Sequence, residues 1–199
     1  MSIEIFTQLT ATGDQLEQQY ALRQRFCIDH LGWTDRNSVE GMEYDQYDHP
    51  AAIYIIYRHE DVARAMMRIT QCDLPFMLKD VWPSLVGEDD LPSTDRQWEL
   101  TRLCVERELG KERGRAITML LAALEAIAEH REIDEYWWVG PKHRIETMAP
   151  HNHHYVGEGQ MIGTEYCFAG YCDALNMVKP ETRSDMEPSD ALDIREFAA

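Results

Sequence analysis

Apolar and polar positions repeat at two periods along this chain, and the switches between them mark its elements. Ile3 to Leu9 reads as a short first strand. Asp14 is placed to cap a helix whose inner stripe is Leu16, Tyr20, Arg23 and Cys27, the spacing of one helical face. An arginine on an otherwise apolar stripe is unusual, because a buried charge needs a partner. From Asp29 to Pro50 the chain is polar but carries Trp33, Tyr44 and Tyr47, which predicts a long functional loop. Ala51 to Arg58 and Val62 to Thr70 are rich in β-formers and joined by His59-Glu60-Asp61, so they predict an antiparallel hairpin.

Pro75 to Leu85 predicts a short apolar helix or coil, followed by an acidic loop through Asp95. Gln97 to Val105 alternates as a two-faced strand,. Arg113 to His130 carries Ile117, Leu120, Leu121, Leu124, Ile127 and Ala128 on one stripe and is the clearest helix,. Glu135 to Val139 predicts a strand ended by Gly140-Pro141, and Arg144 to Ala149 a short helix stopped by Pro150,. Two weaker strands are expected around Gly163 to Cys172 and Leu175 to Val178. This order predicts an α/β fold: a mixed central sheet flanked by helices on both faces, in one domain over residues 1–180. Residues 181–199 are acidic and poor in large apolar side chains, which predicts a flexible tail.

Composition narrows the classes. A formal net charge of -17 argues against nucleic-acid binding, which needs a basic surface. No apolar run is long enough to span a membrane and the start lacks the order of a secretory signal, so a cytoplasmic protein without membrane partners is expected. Five scattered cysteines without a CxxC pair suggest reduced thiols, with neither a disulfide framework nor a zinc knuckle. His143, His151, His153 and His154 lie close together, yet no carboxylate spacing supports a metal site. Cys27 and His30 are three residues apart, a spacing open to a thiolate nucleophile but also to a buried structural cysteine.

The chemistry-bearing residues form a succession. Arg23 is followed by Trp33, then Glu43-Tyr44-Asp45-Gln46-Tyr47-Asp48, Arg68, Met77-Leu78-Lys79-Asp80-Val81-Trp82-Pro83 and Glu99-Leu100-Thr101-Arg102. This resembles the acyl-homoserine lactone synthases of the LuxI type, with their ExDxxD, MLxxVFP and ExTR motifs. The likeness spans about Tyr20 to Val105. It implies the GNAT-like N-acyltransferase fold, whose central strand leads into a helix that binds the carrier pyrophosphate. Lys111-Glu112-Arg113-Gly114-Arg115-Ala116 is similar to that superfamily's phosphate loop, where glycine and a helix start expose N–H groups to an anion. Lys111, Arg113, Gly114 and Arg115 are therefore the candidate carrier-phosphate residues.

The activity the resemblance implies is acyl transfer from a thioester, acyl-CoA or acyl carrier protein, to the amine of S-adenosylmethionine, followed by lactone closure and release of methylthioadenosine. Both molecules are substrates, and no cofactor is expected. The implied catalytic residues are Glu99, Asp45, Asp48 and Arg102, with Glu99 a general base acting through water. Arg23, Trp33, Arg68, Trp82, Cys27 and Leu103 are the implied substrate-binding residues, Leu103 through a backbone N–H near the developing oxyanion. An acyl pocket is expected beside the long helix at Met66, Met119, Leu120 and Trp138. This reading requires Asp45, Asp48 and Glu99 to turn inward.

Departures keep alternatives open. Cys27 stands where the family usually has phenylalanine, His30 where arginine is common, and Gln71-Cys72 replace a proline-threonine pair. Tyr136-Trp137-Trp138-Val139-Gly140 lacks the threonine associated with 3-oxo chains, which points to a short, unsubstituted or hydroxylated chain. One alternative is a GNAT-like enzyme acylating another amine or amino acid, since fold does not fix the acceptor. Another is an inactive protein that binds acyl-CoA or S-adenosylmethionine. The donor and the oligomeric state stay open.

Overall fold

The structure, a computed structural model, describes residues 1–33, 37–87, 90–148 and 152–178. In chain order its elements are β1 (Ser2–Thr7), α1 (Gly13–Arg23), a π-helical turn (Gln24–His30), β2 (Ser38–Val39), β3 (Met42–Glu43), β4 (Ile53–His59) and β5 (Val62–Gln71). Then come α2 (Met77–Val81), β6 (Gln97–Val105), a 3-10 turn (Arg107–Glu112), α3 (Arg113–Arg131), β7 (Glu135–Pro141), α4 (Lys142–Met148), β8 (His153–Ile162) and β9 (Glu165–Asp173). Seven strands form one sheet in the order β1-β4-β5-β6-β7-β9-β8. It is mixed: β6 and β7 run parallel, whereas β1–β4, β7–β9 and β8–β9 are antiparallel. The parallel pair needs a crossover, which α3 supplies. Contacts divide the chain into two units, one of Met1–Arg68 with Arg102–Ala123 and the other of Ile69–Thr101 with the described residues from Leu124 on.

In the first unit, α1 starts at Thr12 rather than Asp14. The Thr12 hydroxyl accepts from Gln15 N (3.2 Å) and the Gln15 side chain accepts from Thr12 N (2.9 Å), a reciprocal capping box. Asp14 lies in the first turn, where a negative charge suits the helix dipole, and accepts from Gln18 and Arg58. The inner stripe reaches a core of Phe6, Leu22, Cys27, Tyr54, Ile56, Met66 and Cys104, against which Leu16, Phe26 and Trp33 pack. Glu60 and Asp61, at φ 52° and 61°, give the two left-handed residues of a tight β4–β5 hairpin.

In the second unit, α2 contributes Leu78 to a core of Cys72, Phe76, Leu85, Val86, Trp137 and Ala169. Alternation on β7 turns the next side chain the other way: Tyr136 donates to Leu124 O on α3 at 2.8 Å, so this unit has helices on both faces of β7. The end of the unit corrects the sequence expectation. The strand expected around 163–172 is β9, but its hairpin partner is β8, which precedes it, and residues 175–178 form no strand. Gly157 and Gly159 dilute the alternation of β8, yet both are required: a Cβ at Gly157 would lie 2.1 Å from Leu85 O, and one at Gly159 2.8 Å from Cys167 O. After β9, Asp173 accepts from Leu175 N and from the Asn176 amide, and this local turn ends strand pairing before Leu175. Ala149, Pro150, His151 and the expected acidic tail lie outside the described residues.

Candidate active site

Three guanidiniums and three carboxylates meet in the first unit. Arg23, the last residue of α1, has no solvent exposure and donates to Glu43 (2.5 Å) and, through both terminal nitrogens, to Asp48 (2.6 and 2.9 Å). Arg68 on β5, also fully buried, donates to both oxygens of Asp45 (2.6 and 3.1 Å) and to Asp48 (2.9 Å). Arg102 on β6 bridges Glu43 (2.9 and 3.2 Å) and Asp45 (2.6 Å). Tyr54 adds a hydroxyl donor to Asp48 at 2.9 Å. The set is neutral as a whole, and planar forks meeting carboxylates in pairs are the strongest ion-pair geometry.

Local sequence explains how the carboxylates come to point inward. Asp45 and Asp48 form a turn held by their own side chains: Asp48 accepts from Asp45 N at 2.8 Å and Asp45 from Tyr47 N at 2.9 Å, the habit of aspartate in turns. Glu43 is a β3 residue with no exposure. It links Arg23 to Arg102, and the sequence reading passed over it although it is the first acid of the ExDxxD pattern. Arg102 itself has φ 52°, a left-handed backbone costing a non-glycine residue about 1–3 kcal/mol. Alternation along β6 breaks there, and such strain concentrates where function needs it.

Electrostatics follow from that geometry. Burial pushes the Asp48 carboxyl up, but Arg23 and Arg68 outweigh it and hold it well below the carboxylate range. For Glu43, Arg102 and Arg23 likewise overcome burial, and for Asp45 Arg68 and Arg102 do so. Burial alone would favour neutral Arg23 and Arg102, yet Asp48 and Glu43 on Arg23, and Asp45 and Glu43 on Arg102, raise both. Glu43, Asp45, Asp48, Arg23 and Arg102 are thereby held charged at neutral pH. The side chain of Asp45, 10% exposed, is the most open of the six; Asp48 is at 3% and the others at 2% or less.

Glu99 lies in the second unit and is 1% exposed. Its two oxygens accept from Met77 N (2.8 Å) and Leu78 N (2.6 Å). The carboxylate thereby fixes the first turn of α2, and each oxygen keeps lone-pair capacity beyond that bond. Trp82 follows α2, half-buried against the core of this unit. Pairing of β6 with β7 is registered from Gln97↔Glu135 to Leu100↔Trp138.

The remaining candidates are placed as follows. Trp33 packs half-buried on the first core and Leu103 is half-buried on β6. Cys27 is 2% exposed, its sulfur 3.8 Å from that of Cys104, whereas His30 is exposed; the two do not share an environment. Lys111, Arg113 and Gly114 are exposed and Arg115 half-buried where the 3-10 turn enters α3, whose first turn has no acid. Gly110, at φ 53° and ψ -116°, shapes that entry in a conformation open to glycine. Met66 joins the first core with α1 residues rather than an α3 pocket, and Trp138 sits edge-on to Tyr155. His153 packs edge-on to Tyr155 while His154 stacks on Tyr171.

Comparison with known proteins gives these residues a context. The profile of the autoinducer synthase family matches residues 7–178. An acyl-homoserine-lactone synthase of Aeromonas hydrophila is 31% identical over 101 residues, covering 51% of this chain and 48% of that protein. The isovaleryl-homoserine lactone synthase of Bradyrhizobium diazoefficiens is 27% identical over 132 residues, covering 63% and 59%. The chain thus spans about half the length of the curated relatives it matches. Among solved structures, that of the AHL synthase LasI superposes with a TM-score of 0.78 at 18% identity, over 87% of this chain and 89% of that one. A CoA-dependent acyl-homoserine lactone synthase, BjaI, gives 0.77 at 20% identity over 87% and 85%. The fold is that of these GNAT-like synthases, and the chain, matched by the profile over most of its length, belongs to the autoinducer synthase family.

Proposed function

We propose that this protein makes an N-acyl-homoserine lactone from S-adenosylmethionine and an acyl thioester. The observation that carries this reading is the neutral, buried network of Arg23, Arg68 and Arg102 with Glu43, Asp45 and Asp48, in a chain of this family. Support comes also from relatives solved with S-adenosylmethionine and isopentyl-CoA, and with methylthioadenosine and an inhibitor. S-adenosylmethionine carries an ammonium, a sulfonium and a carboxylate. Asp45, the most exposed acid of the network, meets the ammonium, and the arginines behind it hold its charge in place.

The reaction then runs in two steps. The ammonium loses a proton, through water, to Glu99, and its nitrogen attacks the thioester carbonyl, expelling the carrier thiol. Donors that are fixed before the reaction stabilise the oxyanion without reorganising, a role assigned to the Leu103 N–H. The methionine carboxylate next attacks its own γ-carbon and expels methylthioadenosine, which requires only a held, folded conformer. Lys111, Arg113, Gly114 and Arg115 receive the carrier phosphates at the α3 start. Both substrates are cytoplasmic metabolites, and the reaction is assigned there.

The test is mass spectrometry of purified protein incubated with S-adenosylmethionine and a panel of acyl-CoA and acyl carrier protein thioesters. Acyl-homoserine lactone and methylthioadenosine in equal amounts are expected. Acyl transfer without methylthioadenosine would instead mark a different amine acceptor, and binding without turnover an inactive sensor.

A further inference from the structure

We propose that Cys27 and Cys104 form a peroxide-oxidisable dithiol, whose closed form is an intramolecular disulfide tying the π-helical turn after Arg23 to the strand that carries Arg102. The sulfurs lie 3.8 Å apart across 77 positions of sequence. Both belong to one core cluster of the first unit, with Phe6, Leu22 and Met66. Among the described residues, no other cysteine sulfur is in hydrogen-bond contact with a second cysteine: Cys72 packs in the other core, Cys167 contacts Glu165 O, and Cys172 contacts Tyr136 O and Met177. The proposed site is thus a specific pair within a set of five thiols.

Bond formation requires the sulfurs to close to about 2 Å. The segment carrying Cys27 is suited to give way, because it is π-helical, a form rare outside single turns and frequent where function bends a helix. Cys27 keeps slight exposure, 2% against 0% for Cys104, beside the partly buried Phe26 and Trp33, so peroxide is expected to reach Cys27 first. The two sulfurs have different roles. The hydrogen bond from Cys104 lowers Cys27 against burial, with help from Arg102, whereas burial raises Cys104. Cys27 is therefore the attacking thiolate and Cys104 the resolving thiol.

The step balances as follows. The Cys27 thiolate attacks one peroxide oxygen, breaking the O–O bond, releasing hydroxide and leaving a sulfenic acid. The Cys104 sulfur displaces the sulfenic oxygen as water, forming the S–S bond. Two thiols lose two electrons in all, and one hydrogen peroxide becomes two waters. Glu43 already joins Arg23 to Arg102, so the disulfide adds a covalent link beside an existing ionic one.

The experiment treats the folded full chain with hydrogen peroxide alone, alkylates the remaining thiols and maps the peptides by mass spectrometry. Expected is the loss of two of the five thiols, a linked pair of peptides containing Cys27 and Cys104, and full reversal by dithiothreitol, with Cys72, Cys167 and Cys172 still alkylated. In Cys104→Ser, Cys27 should instead accumulate as a sulfenic acid trapped by dimedone. In Cys27→Ser, the Cys104 thiol should oxidise roughly tenfold more slowly. Equal oxidation of all five thiols, a link between other cysteines, or a Cys27–Cys104 link that forms only in urea would overturn the proposal. If either serine variant fails to fold, the peptide map of the unsubstituted chain decides alone.

Discussion

The two units hold buried carboxylates by different means. In the first, Glu43, Asp45 and Asp48 are balanced one for one by the guanidiniums of Arg23, Arg68 and Arg102, side chains drawn from α1, β5 and β6. In the second, Glu99 is held by the backbone N–H groups of Met77 and Leu78. The first arrangement depends on distant side chains meeting, so removing one leaves another buried and uncompensated. The second depends on one short turn. The difference teaches that a residue identified as catalytic by its motif can also be what shapes the segment around it.

Acid should act most strongly on the first arrangement. Glu43, Asp45 and Asp48 titrate lower in the folded than in the unfolded chain, where 4.5 and 3.8 are the ordinary values for Glu and Asp. Their contribution to stability is therefore complete above that range and lost as pH falls below it. Urea midpoints measured from pH 7 downward should stay level to about pH 5 and then drop steeply. Next in size, Arg68→Ala leaves Asp45 and Asp48 short of a partner and should cost about 3–5 kcal/mol in urea unfolding. Glu99→Gln sets an amide donor or a weaker acceptor against two N–H groups and should cost about 1–3 kcal/mol. Its signature is faster hydrogen exchange at Met77 and Leu78, which Arg68→Ala does not reproduce selectively. Smallest is Thr12→Ala, which removes the α1 cap and should cost about 1 kcal/mol, read as a lower thermal midpoint.

Much of this was legible from sequence. The hairpin of β4 and β5 follows from β-rich runs around a tight turn, the helix α3 from a sustained helical stripe, and the strand β6 from its alternation up to Thr101. Arg23 on an apolar stripe announced a buried partner, and its partners are Glu43 and Asp48. What escaped was set by tertiary contacts. β8 was hidden because Gly157 and Gly159 answer to close approaches from Leu85 and Cys167, which no local pattern reports. The π-helical turn was read as a continuation of the first helix through Cys27, because a widened helical turn leaves no mark in residue types. The left-handed Arg102 and the amide grip on Glu99 are likewise invisible in a motif, which gives residue types and spacing but no backbone angle or hydrogen bond.

The central claim is that the neutral network presents Asp45 to the substrate ammonium while its other members hold the fold. Calorimetric titration of S-adenosylmethionine into the parent chain and into folded Asp45→Asn tests it most directly. A dissociation constant raised at least about tenfold, a loss of roughly 1.4 kcal/mol, is the expected result; an unchanged constant in a folded variant would contradict the account.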